Sequence, residues 1–238
     1  AIRRETRVRQ AAIPGRQQRV LRGVSCVEED KRVQPRTKRF GEEPMVVEPK
    51  PRPAAAVLEN LAGRAILEMM KDRVGIYDTL LAMHEVGLLG KIFPDFEEIR
   101  CRVIRDFFHK YTVDEHSLIA IRNIEQLPST HRFSVLLNEL ENPELLLLSL
   151  LFHDIGKSHR HDEGNHVHPS TEGVKVVLDK LELPQEQADK VVAVVKNHLE
   201  MSKIILRRDF SDQDVVLQFA DVVGNIENLR MLCLMTYA

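Results

Sequence analysis

The stretch LLFHDIGKSHRHDEGNHVH, residues 150–168, places five of the chain's ten histidines in nineteen residues, directly after a run of leucines. Imidazole is both a common metal ligand and the side chain that exchanges protons near neutrality, so this density raises the question of a chemical site. His153 and Asp154 stand where the leucine run ends. A carboxylate at the end of a buried helix is costly unless something pairs with it. The partner can be a hydrogen-bonded histidine, a helix-end cation or a divalent metal ion. Neighbouring residues lie about 100° apart around a helix, so at a terminus both side chains can tilt toward one ion. The dipeptide alone favours the metal-free pairing. His116, in DEHSL, and His198, on the stripe Ala188, Val191, Val195, His198, change the balance. Three predicted helices each delivering a histidine inward, together with Asp154, are better explained by a metal centre. Nitrogen and oxygen donors without a thiolate suit Mn, Mg, Fe or Zn.

Helices must carry these side chains. From residue 57 onward apolar residues recur three and four apart with almost no alternation, the pattern of an all-α chain. Leu58, Leu61, Ala65 and Met69 form one stripe, and residues 76–89 form another that Gly90 and Pro94 interrupt. Helices are also predicted over 99–109 and 111–127, the latter with Asp114 as its cap and Leu118, Ile121 and Ile124 facing inward. In the next segment Pro143 stands near the helix start and Gly156 at its end, where a left-handed cap is easily accommodated. The leucines between them leave hardly any polar face, which predicts a helix at the centre of a bundle. Beyond a polar loop, Ser170 is expected to cap a helix ending at Leu181. Another helix is expected from Pro184 to about Met201. Ser211 and Asp214 suggest a further start, closed by Gly224, and a last apolar helix begins near Asn225.

With 238 residues, 43% of them hydrophobic, the chain can bury a real core. Its longest apolar run, 145–152, is far short of the roughly 18 residues of a membrane span. Cys26, Cys101 and Cys233 are scattered without CxxC spacing, and no apolar leader with a cleavage site opens the chain; both fit a reducing cytoplasm. The net charge of -2 conceals an asymmetry: residues 1–53 hold 14 Lys/Arg against 7 Asp/Glu, the remainder 20 against 29. Arg and Pro dominate the first part, and little periodicity interrupts them. Residues 1–56 therefore read as a basic, poorly ordered arm or linker. With no aromatic interleaved beyond Phe40, a solvated linker is favoured over a nucleic-acid-binding arm. Residues 57–110 read as a helical connector and 111–238 as the domain that carries the site.

YTVDEH, LLFHDIGK, NHLEMS and RRDFSD, in that order, resemble the HD-superfamily hydrolase domain of the bacterial PII uridylyltransferase/uridylyl-removing enzymes. The similarity runs from about Ile76, including GLLGKIFPDFEEI, to the chain end. The H…HD…D pattern is shared by many phosphohydrolases, whereas FHKYTVDEH and HLEMSKIILRRDFSD are narrower. The resemblance implies an all-α HD-domain bundle with metal ligands at His116, His153 and Asp154 and with Lys157 directed toward a phosphate. The family's loop histidine maps to His166 or to His168. His198 maps to a second-metal ligand or a phosphate contact, while His159 and His161 have no counterpart and read as solvated loop residues. The implied cofactor is a divalent metal, Mn or Mg first, with Fe or Zn as alternatives. The implied activity is removal of UMP from uridylylated PII protein in nitrogen regulation, with Asp154 and Lys157 as catalytic groups. Alternatives are an HD phosphohydrolase acting on a free nucleotide, or a helical binding module with an impaired centre. The family pattern has an aspartate after LLTxA, where this sequence reads CLMTYA and stops at Ala238. A truncated HD domain is therefore expected, with the transferase and ACT domains of the parent chain missing.

Overall fold

The computed structural model of the chain describes residues 53–104, 110–158, 166–207 and 212–238. Among them are helices and turns and no strand, as the helical periodicity predicts. In chain order the helices are α1 (Pro53–Asp72), α2 (Ile76–Glu85), α3 (Leu88–Ile92), α4 (Pro94–Glu97), α5 (Val113–Glu125) and α6 (Arg132–Asn138). They continue with α7 (Pro143–Phe152), α8 (Val167–Leu181), α9 (Gln185–Asn197), α10 (Glu200–Arg207), α11 (Gln213–Val223) and α12 (Ile226–Tyr237). A single 3₁₀ turn, Ile155–Ser158, follows α7. Residues 1–52 and the loop histidines His159 and His161 lie outside the described residues; positions 53–56 of the expected arm belong to α1.

The bundle is organised around α7. Pro143 occupies its first turn, and every residue from Glu144 to Phe152 is buried, with α1, α5, α9 and α12 packed around it. Each buried leucine contributes on the order of 1.5–3 kcal/mol, so the position of the helix, and of whatever follows Phe152, is strongly determined. Phe152 is itself held by edge-on contacts with Phe93 at 5.0 Å and Phe96 at 6.3 Å between ring centroids. On α5, Leu118, Ile121 and Ile124 face the core as their spacing predicts.

Several local expectations need correction. On α1 the buried face is Gly63, Ile66 and Met70, while Leu58 and Leu61 are exposed; Leu58, Ala65 and Met69 line an open groove with Met83, Leu88 and Ile92. The reason is Gly63. A Cβ there would come within 2.8 Å of Leu181 Cδ2, so the small residue is what lets α1 approach α8. The stripe over 76–89 breaks at Gly87, which is left-handed at φ 72°, and Gly90 lies buried within α3. Residues 99–104 are not helical, and 105–109 lie outside the described residues. α6 has no counterpart in the sequence reading.

The caps also differ. Thr112, in a capping box with Glu115, opens α5, and Asp114 turns inward. Glu125, at the far end of α5, accepts hydrogen bonds from the backbone N–H groups of Gly75, Ile76 and Tyr77 and so caps α2. α8 begins at Val167, which leaves Ser170 inside the helix rather than at its cap, with its hydroxyl accepting from Gly156 N at 3.0 Å. α9 stops at Asn197, short of Met201, and α10 follows after His198 and Leu199. Asp212 caps α11 by accepting from Asp214 N, Gly224 at φ 78° closes that helix, and the Asn225 side chain caps α12.

Candidate metal centre

The histidines of interest sit at helix ends. His116 lies in the first turn of α5, His153 directly after α7, His166 directly before α8 and His198 directly after α9. Two of them are oriented by the carbonyl groups that a helix C-terminus leaves without intrahelical partners. His153 Nδ1 donates to Leu150 O at 2.9 Å, and His198 Nδ1 donates to Val195 O at 2.7 Å. A carbonyl oxygen can only accept, so the proton sits on Nδ1 in both rings, and a neutral ring presents the Nε2 lone pair to the site.

All four rings converge on Asp154, which is 2% exposed. Its Oδ2 lies 3.1 Å from His153 Nε2, 3.8 Å from His116 Nε2 and 2.7 Å from Lys157 Nζ. Its Oδ1 lies 3.2 Å from His166 Nε2 and 3.8 Å from His198 Nε2. His166 Nε2 and His198 Nε2 are 3.2 Å apart. Burial by itself pushes the Asp154 carboxyl up, but His153, His166 and Lys157 together hold it well below the usual carboxylate range. His198 moves the other way: burial, and then the charge of His153, lower its pKa from 6.5 to about 3, so its ring is neutral at physiological pH.

These donors fit a divalent cation. His116, His153 and Asp154 form one group whose ligand atoms all lie within 4.8 Å of one another; Asp154, His166 and His198 form a second, sharing the carboxylate. Ligands about 2.0–2.2 Å from an ion stand about 3–3.5 Å from each other, close to the separations seen. Among the described residues Asp154 Oδ1 is buried and has no hydrogen bond, although two imidazole nitrogens face it. Without a metal ion the rings of His153 and His166 and the Lys157 ammonium offset this carboxylate; a bound divalent cation would take over that charge compensation.

Lys157 rides on the 3₁₀ turn, three residues from Asp154 and against its carboxylate. The turn can reach α8 because residue 156 is glycine. A Cβ at Gly156 would lie 2.3 Å from Ser170 N, 2.5 Å from His166 O and 2.8 Å from Pro169 C. Gly156 is not left-handed, so close backbone approach, rather than a cap, requires it. The approach brings His166 to the site; His168 is exposed in the first turn of α8 and belongs to neither group.

Sequence reasoning missed a second buried pair. His84 Nε2 donates to Asp114 Oδ2 at 2.9 Å, and Cys101 N donates to the same oxygen at 3.1 Å. Burial raises the Asp114 carboxyl, but hydrogen bonds from His84, Thr112 and Cys101 outweigh it and leave the pKa lowered. Thirty residues separate His84 from Asp114, and no spacing rule links them; the one available signal was an aspartate beside inward-facing positions.

In this all-helical bundle a His-Asp pair after the central helix meets histidines from three other helix ends, and residues 113–226 match the HD domain family model. That segment is an HD domain. Over 178 residues, 72% of its length, the chain is 35% identical to the bifunctional uridylyltransferase/uridylyl-removing enzyme of Pseudomonas putida (strain W619). It is 34% identical over 176 residues to the protein of that name from Nitrosospira multiformis, and 34% over 178 residues to the one from Azotobacter vinelandii. The chain spans about a fifth of the length of these curated relatives, 19% of the first and 20% of the other two. Among the described residues no helix is long and apolar enough to cross a membrane.

Proposed function

We propose that this chain carries the hydrolytic centre of a bifunctional uridylyltransferase/uridylyl-removing enzyme and cleaves the phosphodiester that links UMP to a PII signalling protein. The observation that carries the reading is the Asp154 carboxylate shared between two histidine groups, which matches a centre for one or two divalent cations. Mn or Mg suits the mixed nitrogen and oxygen donors best. Bound there, the cation would lower the pKa of a water molecule and offset charge developing on the phosphoryl oxygens.

The chain's own residues then divide the remaining work. His116, His153 and Asp154 hold one position, and His166 and His198 hold the other side of the same carboxylate. Neutral His198 keeps a lone pair available at physiological pH. Lys157, on the 3₁₀ turn beside Asp154, supplies a positive charge for a phosphate oxygen once the carboxylate is engaged by the cation. Asp154 Oδ1, lacking a hydrogen bond, can orient an attacking water as well as bind.

The test is hydrolysis of uridylylated PII beside a panel of cyclic and pyrophosphorylated free nucleotides, using the full-length protein with and without His153→Ala or Asp154→Ala. Release of UMP from PII that both substitutions abolish is expected. Retained activity in folded variants would remove the site assignment, and a preference for a free nucleotide would replace the substrate.

A further inference from the structure

We infer that the buried His84–Asp114 pair is a positioning latch, which sets the rotation of α5 and thereby places His116 against His153 and Asp154. The inference deepens the metal-centre reading and rests on it for the role of His116. One carboxylate oxygen, Asp114 Oδ2, ties α2 through His84, the turn after α4 through Cys101 N, and α5 itself. Val113 N adds a second stitch by donating to Arg102 O at 2.9 Å. On its other side the His84 ring stands edge-on to Phe96 at 5.5 Å, Phe96 meets Phe152, and Phe152 immediately precedes His153. A single histidine thus contacts the supports of two members of one ligand group.

The geometry explains why a polar pair is suited to this place. Asp114 and His116 are two residues apart, about 200° around the helix, so the latch grips α5 on the side away from the site. A rotation of about 20° would carry a side-chain tip at a radius of about 5–6 Å through about 2 Å, well beyond the roughly 0.5 Å that a working site tolerates. Apolar packing allows small rotations; a hydrogen bond weakens steeply when its angle or length changes. The pair also carries a cost. Among the described residues His84 Nδ1 and Asp114 Oδ1 are buried without hydrogen bonds, which a contact serving stability alone would not favour.

The experiment follows histidine ring protons by NMR in the metal-free 238-residue chain. Ring centroids of His116 and His153 are 5.2 Å apart, those of His153 and His198 5.3 Å, and those of His166 and His198 5.3 Å, so three cross-relaxation contacts are expected. His84→Leu should weaken the His116–His153 contact several-fold and keep the other two. His84→Gln, whose amide can still donate to Asp114, should restore it. Leu234→Ala, a destabilising change in α12, should leave all three in place. If His84→Leu does not fold, His84→Asn, with a donor too short to reach, is read in the same way. An unchanged His116–His153 contact in the leucine or asparagine variant, or an equal loss in Leu234→Ala, would overturn the latch. Titration with Mn²⁺ examines the underlying reading separately. Wild-type histidines that do not broaden would remove the metal assignment while leaving the latch to be judged on ring contacts. Where they do broaden, affinity should fall about tenfold in His84→Leu.

Discussion

Asp154 has an ammonium and two imidazole nitrogens within 3.2 Å and almost no water, so its removal is more than the loss of one ligand. Asp154→Ala removes the carboxylate that Lys157 and the converging histidines share. Breaking a buried pair in this way costs on the order of 3–5 kcal/mol; urea unfolding of the metal-free chain should show the loss, and calorimetric titration should show that Mn²⁺ binding has vanished. His198 yields a second expectation, with its sign fixed by where the proton goes. The unfolded chain protonates this histidine near pH 6.5, whereas the folded chain resists until about pH 3. Its contribution to stability is therefore complete above 6.5 and is lost as the pH falls toward 3, at no more than about 1.4 kcal/mol per pH unit. His198→Gln should flatten that part of the profile. Unfolding midpoints in chelator between neutrality and about pH 4 provide the measurement, and an unchanged slope would mean that another group is responsible.

At the scale of elements, the 3₁₀ turn and α8 meet through Gly156. Gly156→Ala would place a methyl group against Ser170 N and His166 O, and backbone atoms cannot swing aside. A loss of about 1–3 kcal/mol is expected, together with weaker metal binding, because the atom that must give way belongs to His166. Chemical denaturation and metal titration of the same variant check both. Glu125→Ala removes the acceptor shared by the first N–H groups of α2 and should cost about 1–2 kcal/mol, with faster amide exchange confined at first to Gly75, Ile76 and Tyr77. These two residues also mark where the sequence was hard to read. The centrality of α7 was legible, since nine apolar or small residues in ten admit no solvent face, and so were His116, His153, Asp154 and His198, each lying on or just past an apolar stripe. Which loop histidine joins them was not. That choice depends on the 3₁₀ turn and α8 touching through a residue without a side chain, and no periodicity records such a contact. The α1 register failed for a like reason, because Gly63 sets the buried face by what it permits rather than by its own hydrophobicity. Capping of one helix by the far end of another, as Glu125 does for α2, leaves no local signature either.

At the scale of the whole molecule, the centre is where the ends of α5, α7, α8 and α9 are joined, and metal binding should therefore act on global stability. α5 and α9 pack directly on α7, and α8 packs on α9 and on the 3₁₀ turn, but their ends converge on one buried carboxylate that a bound cation would tie to the imidazoles around it. A ligand that binds only the folded state adds about 2.7 kcal/mol at a concentration 100 times its dissociation constant. Mn²⁺ at that excess should raise the free energy of unfolding by that order, and the midpoint with it, and chelator should reverse both. Core and centre can be separated by two substitutions. Leu146→Ala, at a position fully buried in α7, should lower stability by about 2–5 kcal/mol and keep the full metal-dependent increment, because the folded form that survives still presents the ligands. Asp154→Ala should lose the increment entirely. Thermal unfolding of the three proteins, each with Mn²⁺ and with chelator, distinguishes the cases. If Asp154→Ala retained the wild-type increment, the ion would be stabilising the bundle from somewhere other than the junction of these helices.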